Sequence, residues 1–115
     1  MARVLCTGFY ASLRRVILEA AGHVVITASD EATLRKACRF HTFDVAIVGH
    51  RGSPTLKKQW LKLIRKYRPA AKVLEVYAAQ ESISLPDADD WLETPVTGHL
   101  SERVSELAAK TRSEQ

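Results

Sequence analysis

The chain has 115 residues, of which 46% are apolar, and carries 17 lysines and arginines against 13 acidic residues, a formal charge of +4. That length supports one hydrophobic core and excludes two ordinary domains. No apolar run approaches the roughly 20 residues a membrane span needs, and the first residues lack a signal-peptide pattern, so a cytoplasmic protein without a membrane partner is expected.

Strand-like and helix-like segments alternate along the chain. A strand is expected near residues 3–7, then a helix over 11–21 in which Leu13, Val16, Ile17 and Ala20 make an apolar stripe and Gly22 is the stop. A strand follows at 23–28, and Ser29 is the expected N-cap of a helix over 30–41, with Asp30 and Glu31 where the helix dipole favours negative charge. The third strand, 43–49, has apolar residues of both parities from Val45 to Val48, the pattern of a central strand covered on both faces. Gly49 then opens a polar loop from His50 to Pro54 at the strand's carboxyl end, where open α/β sheets place their chemistry.

A helix over 55–67 is amphipathic, with Leu56, Trp60, Leu63, Ile64 and Tyr67 on one side. Lys57, Lys58, Lys62, Arg65, Lys66 and Arg68 form a basic outer face. The fourth strand, 72–77, is apolar except for Glu75, a carboxylate that needs a nearby lysine or arginine, or exposure through missing helix cover. Only a turn or a single helical turn fits between Ala78 and Ala88, because Pro86 and Asp87 limit it further. A strand at 90–93 and a helix at 97–110 complete a single domain over residues 1–110, and Thr111 to Gln115 reads as a frayed polar tail. This order is that of a βαβ fold with a parallel sheet.

Residues with chemistry of their own are scattered. Cys6 and Cys38 read as small core hydrophobes in a reducing compartment. His23, His41, His50 and His99 show no metal-binding spacing, so no metal is expected. Ser53, beside Pro54, has no evident base, which argues against an enzyme. The turn from Thr7 to Ser12 could offer backbone amides to an anion, but bulky Phe9 and Tyr10 stand where close approach needs glycine, and no cofactor is expected.

Nearly the whole chain resembles the receiver domain of bacterial two-component response regulators. The resemblance rests on Val4-Leu5-Cys6-Thr7, Ser12-Leu13-Arg14-Arg15, Glu19 to Val25, Thr27-Ala28-Ser29-Asp30, Phe43-Asp44, and Ala88 to Val96, in that order and spacing. It implies a flavodoxin-like fold, a five-stranded parallel sheet of order 2-1-3-4-5 with helices on both faces, here with the fourth helix shortened or absent. Carried across position by position, the magnesium-binding acidic pair falls on Gly8 and Phe9 and the phosphate-accepting aspartate on Gly49. The hydroxyl residue ending strand four falls on Tyr77, and the lysine before the proline of strand five falls on Thr94. The resemblance therefore implies a degenerate receiver without phosphorelay chemistry, an interaction module for a protein partner in signalling. Trp91, with Leu100 and Val104 from the last helix, is the expected partner surface. The competing reading is a nucleic-acid- or acidic-surface-binding protein that uses the basic third helix.

Overall fold

A computed structural model of the chain describes residues 2–8, 11–49, 53–78, 80–93 and 99–113. Strands β1 (Arg3–Thr7), β2 (Val24–Ala28), β3 (Val45–Val48), β4 (Lys72–Tyr77) and β5 (Asp90–Glu93) alternate with helices α1 (Ala11–Ala20), α2 (Glu31–Phe40), α3 (Pro54–Tyr67) and α4 (Leu100–Ser113). All strand pairs are parallel and the order is β2-β1-β3-β4-β5, as the resemblance implies. Between β4 and β5 the described residues form only turns, so the short connection takes the place of a helix.

The sheet separates two apolar layers. On the α2 and α3 side lie Leu5, Ala46, Val48 and Val73 with Leu34, Trp60 and Ile64. On the α1 and α4 side lie Val4, Cys6, Val45, Ile47 and Leu74 with Leu18, Leu100, Val104 and Leu107. Every residue of β3 is fully buried, which is why its apolar run ignores the two-residue alternation of a half-exposed strand.

Local signals set the helix ends. Gly22, at φ +91, closes α1 while the His23 amide donates to the Leu18 carbonyl and the Gly22 amide to that of Glu19, a Schellman arrangement. The N-cap of α2 is Asp30 rather than the expected Ser29. Its carboxylate accepts from the Thr33 amide, and the Thr33 hydroxyl accepts from the Asp30 amide, so the two residues satisfy each other. The expected frayed tail begins too early, because α4 runs to Ser113. Thr111 is buried and its hydroxyl bonds the carbonyls of Asp44 and Leu107, which converts a polar residue into an anchor.

Helix α1 is rotated from its expected setting. Leu13 and Val16 are 58% and 65% exposed, whereas Arg14 and Leu18 are buried. The turn from Leu13 to Ala20 carries more apolar carbon, yet the side chain that fills the space under this helix is an arginine.

Candidate functional site at the carboxyl edge of the sheet

The ends of β1 and β3 close on one another, backbone to backbone. The Thr7 hydroxyl donates to the Ile47 carbonyl at 2.8 Å, and the Gly49 amide donates to the Thr7 carbonyl at 3.2 Å. Gly8 adopts φ +94, a conformation open to glycine, and a Cβ there would stand 2.8 Å from the Gly49 carbonyl carbon. A Cβ on Gly49 would stand 2.6 Å from the Thr7 carbonyl oxygen and 2.5 Å from Nη1 of Arg14. Neither position has room for any side chain, let alone a carboxylate.

Arg14 fills what remains. It is 3% exposed and reaches from the first turn of α1 to the face of Gly49. Burial pulls its pKa below the ordinary guanidinium value, and burial pushes the Cys6 thiol of the same layer up to about 12 against the pull of Arg14 and Arg15. A guanidinium is neither a nucleophile nor a cation ligand. Its charge beside Gly49 repels the divalent ion that phosphoryl transfer onto a carboxylate requires.

A second constellation lies one strand away, where Glu75 faces Val48 and Trp91 in the sheet register and is fully buried. Its partner is Lys57, from the first turn of α3, with Nζ 2.9 Å from Oε2 and 3.2 Å from the Val76 carbonyl. The carboxylate also accepts the backbone amides of Ser84, at 3.0 and 3.1 Å, and Leu85, at 2.9 Å. One buried anion thus joins β4, α3 and the connection that stands where a helix is missing. The expectation that a cation explains Glu75 holds. The placement of Lys57 on the basic outer face does not, because the ammonium is needed inside. A cavity of about 360 Å³ lies above this pair, between Ser53 and Pro54 on one wall and Gln80, Glu81, Ser82 and Ser84 on the other.

The remaining expected site residues separate. Tyr77 is half-buried at the end of β4, opposite Glu93. Phe9 and Thr94 lie outside the described residues. Trp91 packs on the α2 and α3 layer and its indole N–H donates to the Leu85 carbonyl at 2.8 Å. Leu100 and Val104 are fully buried in the opposite layer, so the three cannot form one partner surface: alternation along β5 sends Trp91 to one face and Leu92 to the other.

The basic face also shrinks. Arg65 donates to the carbonyls of Ala71 and Asp87 and pairs with Asp89 at 3.1 Å. Arg68 donates to the Cys38 and Arg39 carbonyls. Lys58, Lys62 and Lys66 stay exposed. Replacing those three lysines by glutamate is expected to change stability by less than about 0.5 kcal/mol each. Arg65→Glu should cost about 1–3 kcal/mol, since it strips partly buried carbonyls and faces Asp89 with a like charge. Urea denaturation of the two variants checks the contrast.

Arg14 and Lys57 are the residues that sequence reasoning missed. Arg14 shares a helical face with Ala11 and Leu18, and its guanidinium lies beside Gly49; the signal was a glycine whose missing side chain leaves room for a long one. Among the described residues no group of three His, Cys, Asp or Glu side chains is placed to hold a metal ion, and no helix is long and apolar enough to cross a membrane.

No family model matches the sequence, and no curated protein matches it. Solved structures do. A CheY-like response regulator receiver domain protein from Methanospirillum hungatei is 20% identical, with a TM-score of 0.83 over 100% of this chain and 99% of that one. NtrX from Brucella abortus, solved in complex with ADP, is 18% identical with a TM-score of 0.79 over 98% of this chain, which spans 27% of NtrX. The response regulator TrrA from Thermotoga maritima, solved in complex with Mg²⁺-BeF, is 21% identical with a TM-score of 0.72 over 93% of this chain and 99% of that one.

Proposed function

Starting from a chain whose fold is that of response-regulator receiver domains, we propose that it is a phosphorylation-independent interaction module serving a protein partner in signal transduction. One observation carries this reading: Gly49, the position onto which the resemblance puts the phosphate-accepting carboxylate, is pressed against the Thr7 carbonyl and lies beside the Arg14 guanidinium. With neither nucleophile nor cation ligands among the described residues there, this place offers no acceptor to phosphorylate and no anion to close upon. The buried Glu75 and Lys57 support the same reading from the output side. They fix the connection between β4 and β5, in the region where receiver domains relay phosphorylation through a helix that this chain lacks. Nucleic-acid binding is the weaker alternative, since Lys57, Arg65 and Arg68 are committed to bonds within the fold.

Acetyl phosphate, or beryllofluoride with magnesium, is expected to leave both the intact mass and the amide spectrum of the protein unchanged. TrrA, which is known as a Mg²⁺-BeF complex, serves as the responding control. An acid-labile adduct of one phosphoryl group, or magnesium-dependent shifts around Gly8 and Gly49, would sink the proposal.

A further inference from the structure

The two edges of the sheet are protected unequally. At one edge, β5 is four residues long and carries Asp90 and Glu93, with Asp90 held by Arg103 at 2.9 Å. Charge and brevity of this kind keep an edge from pairing with foreign strands. At the other edge, β2 runs Val24-Val25-Ile26-Thr27-Ala28 with neither charge nor proline. The Val24 amide donates inward to the Ala2 carbonyl, so the alternation of a parallel ladder turns the N–H and C=O groups of Val25 and Thr27 to the open side.

Beside this edge lies a cleft of about 460 Å³ lined by Ile26, Thr27, Thr33, Lys36, Ala37 and Phe40, with His41 at its end. Ile26 and Thr27 point to opposite faces of the sheet, so a cleft that touches both reaches round the strand's edge. Phe40 is 71% exposed and Val24 41%, leaving apolar surface at the rim. Among the described residues the charged side chain in the lining is Lys36, and none of the lining residues is acidic. A second copy of this chain fits poorly. Pairing two β2 edges would bring together two copies of a cleft whose charged lining is Lys36, on a chain already at +4.

We propose that the open edge of β2 is a docking site for an extended, acidic peptide segment of a partner protein. The segment adds as a sixth strand, exchanges backbone hydrogen bonds with Val25 and Thr27, seats apolar side chains on Ile26, Ala37 and Phe40, and presents a carboxylate to Lys36. This deepens the interaction-module reading and rests on it.

The test uses the full chain and a phage-displayed library of random dodecapeptides, followed by the selected peptide itself. Recovered peptides are expected to alternate apolar and polar residues with at least one acid, and to shift the amide signals of Val25 and Thr27. Thr27→Pro removes an outward N–H and spares the inner ladder, and should weaken binding at least about tenfold. Should that variant unfold, Thr27→Lys blocks the same edge, and Lys36→Glu should lose a similar factor at low salt. Lys58→Glu, on α3, should change nothing. The proposal is overturned if no peptide is selected, if selected peptides ignore these changes, or if sedimentation shows that β2 is occupied by a second copy. Each of those outcomes leaves the acetyl phosphate result untouched, so a failed docking site and a failed phosphorylation-independence reading are told apart.

Discussion

Glu75→Ala is expected to cost the fold about 3–5 kcal/mol, the penalty for breaking a buried ion pair by removing one partner. Among the described residues Lys57, 3% exposed, would keep the Val76 carbonyl alone, and the amides of Ser84 and Leu85 would lose their acceptor. Lys57→Met should cost a comparable amount, because it strands the Glu75 carboxylate in the same dry layer. The double variant Lys57→Met with Glu75→Leu should lose clearly less than the sum, by at least about 1.5 kcal/mol, since neither charge then remains unpaired. It should still fall short of the parent, because the two loop amides stay orphaned at about 1–3 kcal/mol. Urea denaturation with an unchanged slope reads all four corners of the cycle. Additive losses would mean that the pair is wet and that the connection between β4 and β5 is held by something else.

The second large effect is at the closed turns. Gly49→Asp supplies the missing carboxylate of a receiver and is expected to fail as an acceptor. Its Cβ would sit 2.6 Å from the Thr7 carbonyl oxygen, a backbone atom that cannot swing aside, and 2.5 Å from the Arg14 guanidinium. Overpacking of this kind costs about 1–3 kcal/mol. Gly49→Ala should show the same loss without the charge, and pairing it with Arg14→Ala should recover only part, because the contact with Thr7 remains. Gly8→Ala adds a backbone strain of about 1–3 kcal/mol at φ +94 to its own contact with Gly49. Thermal and urea melts order these variants. An alanine at residue 49 that leaves stability unchanged would mean that the turns separate in solution, and packing would no longer bar a side chain there.

Much of the fold was legible because its signals are local and redundant. The apolar run Val45 to Val48 marks the central strand, Gly22 stops α1 where the Schellman bonds form, and Pro86 with Asp87 leaves no length for a helix. Of the candidate site, the sequence says that residues 8 and 49 carry no carboxylate. What lies beside residue 49 was hidden. Leu13, Val16, Ile17 and Ala20 make a more apolar stripe than Ala11, Arg14 and Leu18, and periodicity has no way to know that a glycine at the end of β3 leaves room for a guanidinium beside it. Lys57 was misplaced for a related reason. Spacing sets it three and seven residues before Trp60 and Ile64, on the buried face, but its residue type counts it among the exposed lysines, and its partner Glu75 lies 18 residues later. The two anomalies, a charge too many on a helix and a charge too deep in a strand, are one feature that only topology connects. The partner surface failed on parity alone, since Trp91 and Leu92 face opposite layers.

The mutual fit of Gly8, Gly49 and Arg14 bears on how this chain can change over generations. A side chain at residue 49 collides with Thr7 and Arg14, one at residue 8 collides with the backbone of Gly49, and a shorter residue at 14 empties the space beside Gly49. An acidic residue at residue 49 is therefore expected only in a protein less stable than the present one, and packing weighs against it whatever this domain is selected to do.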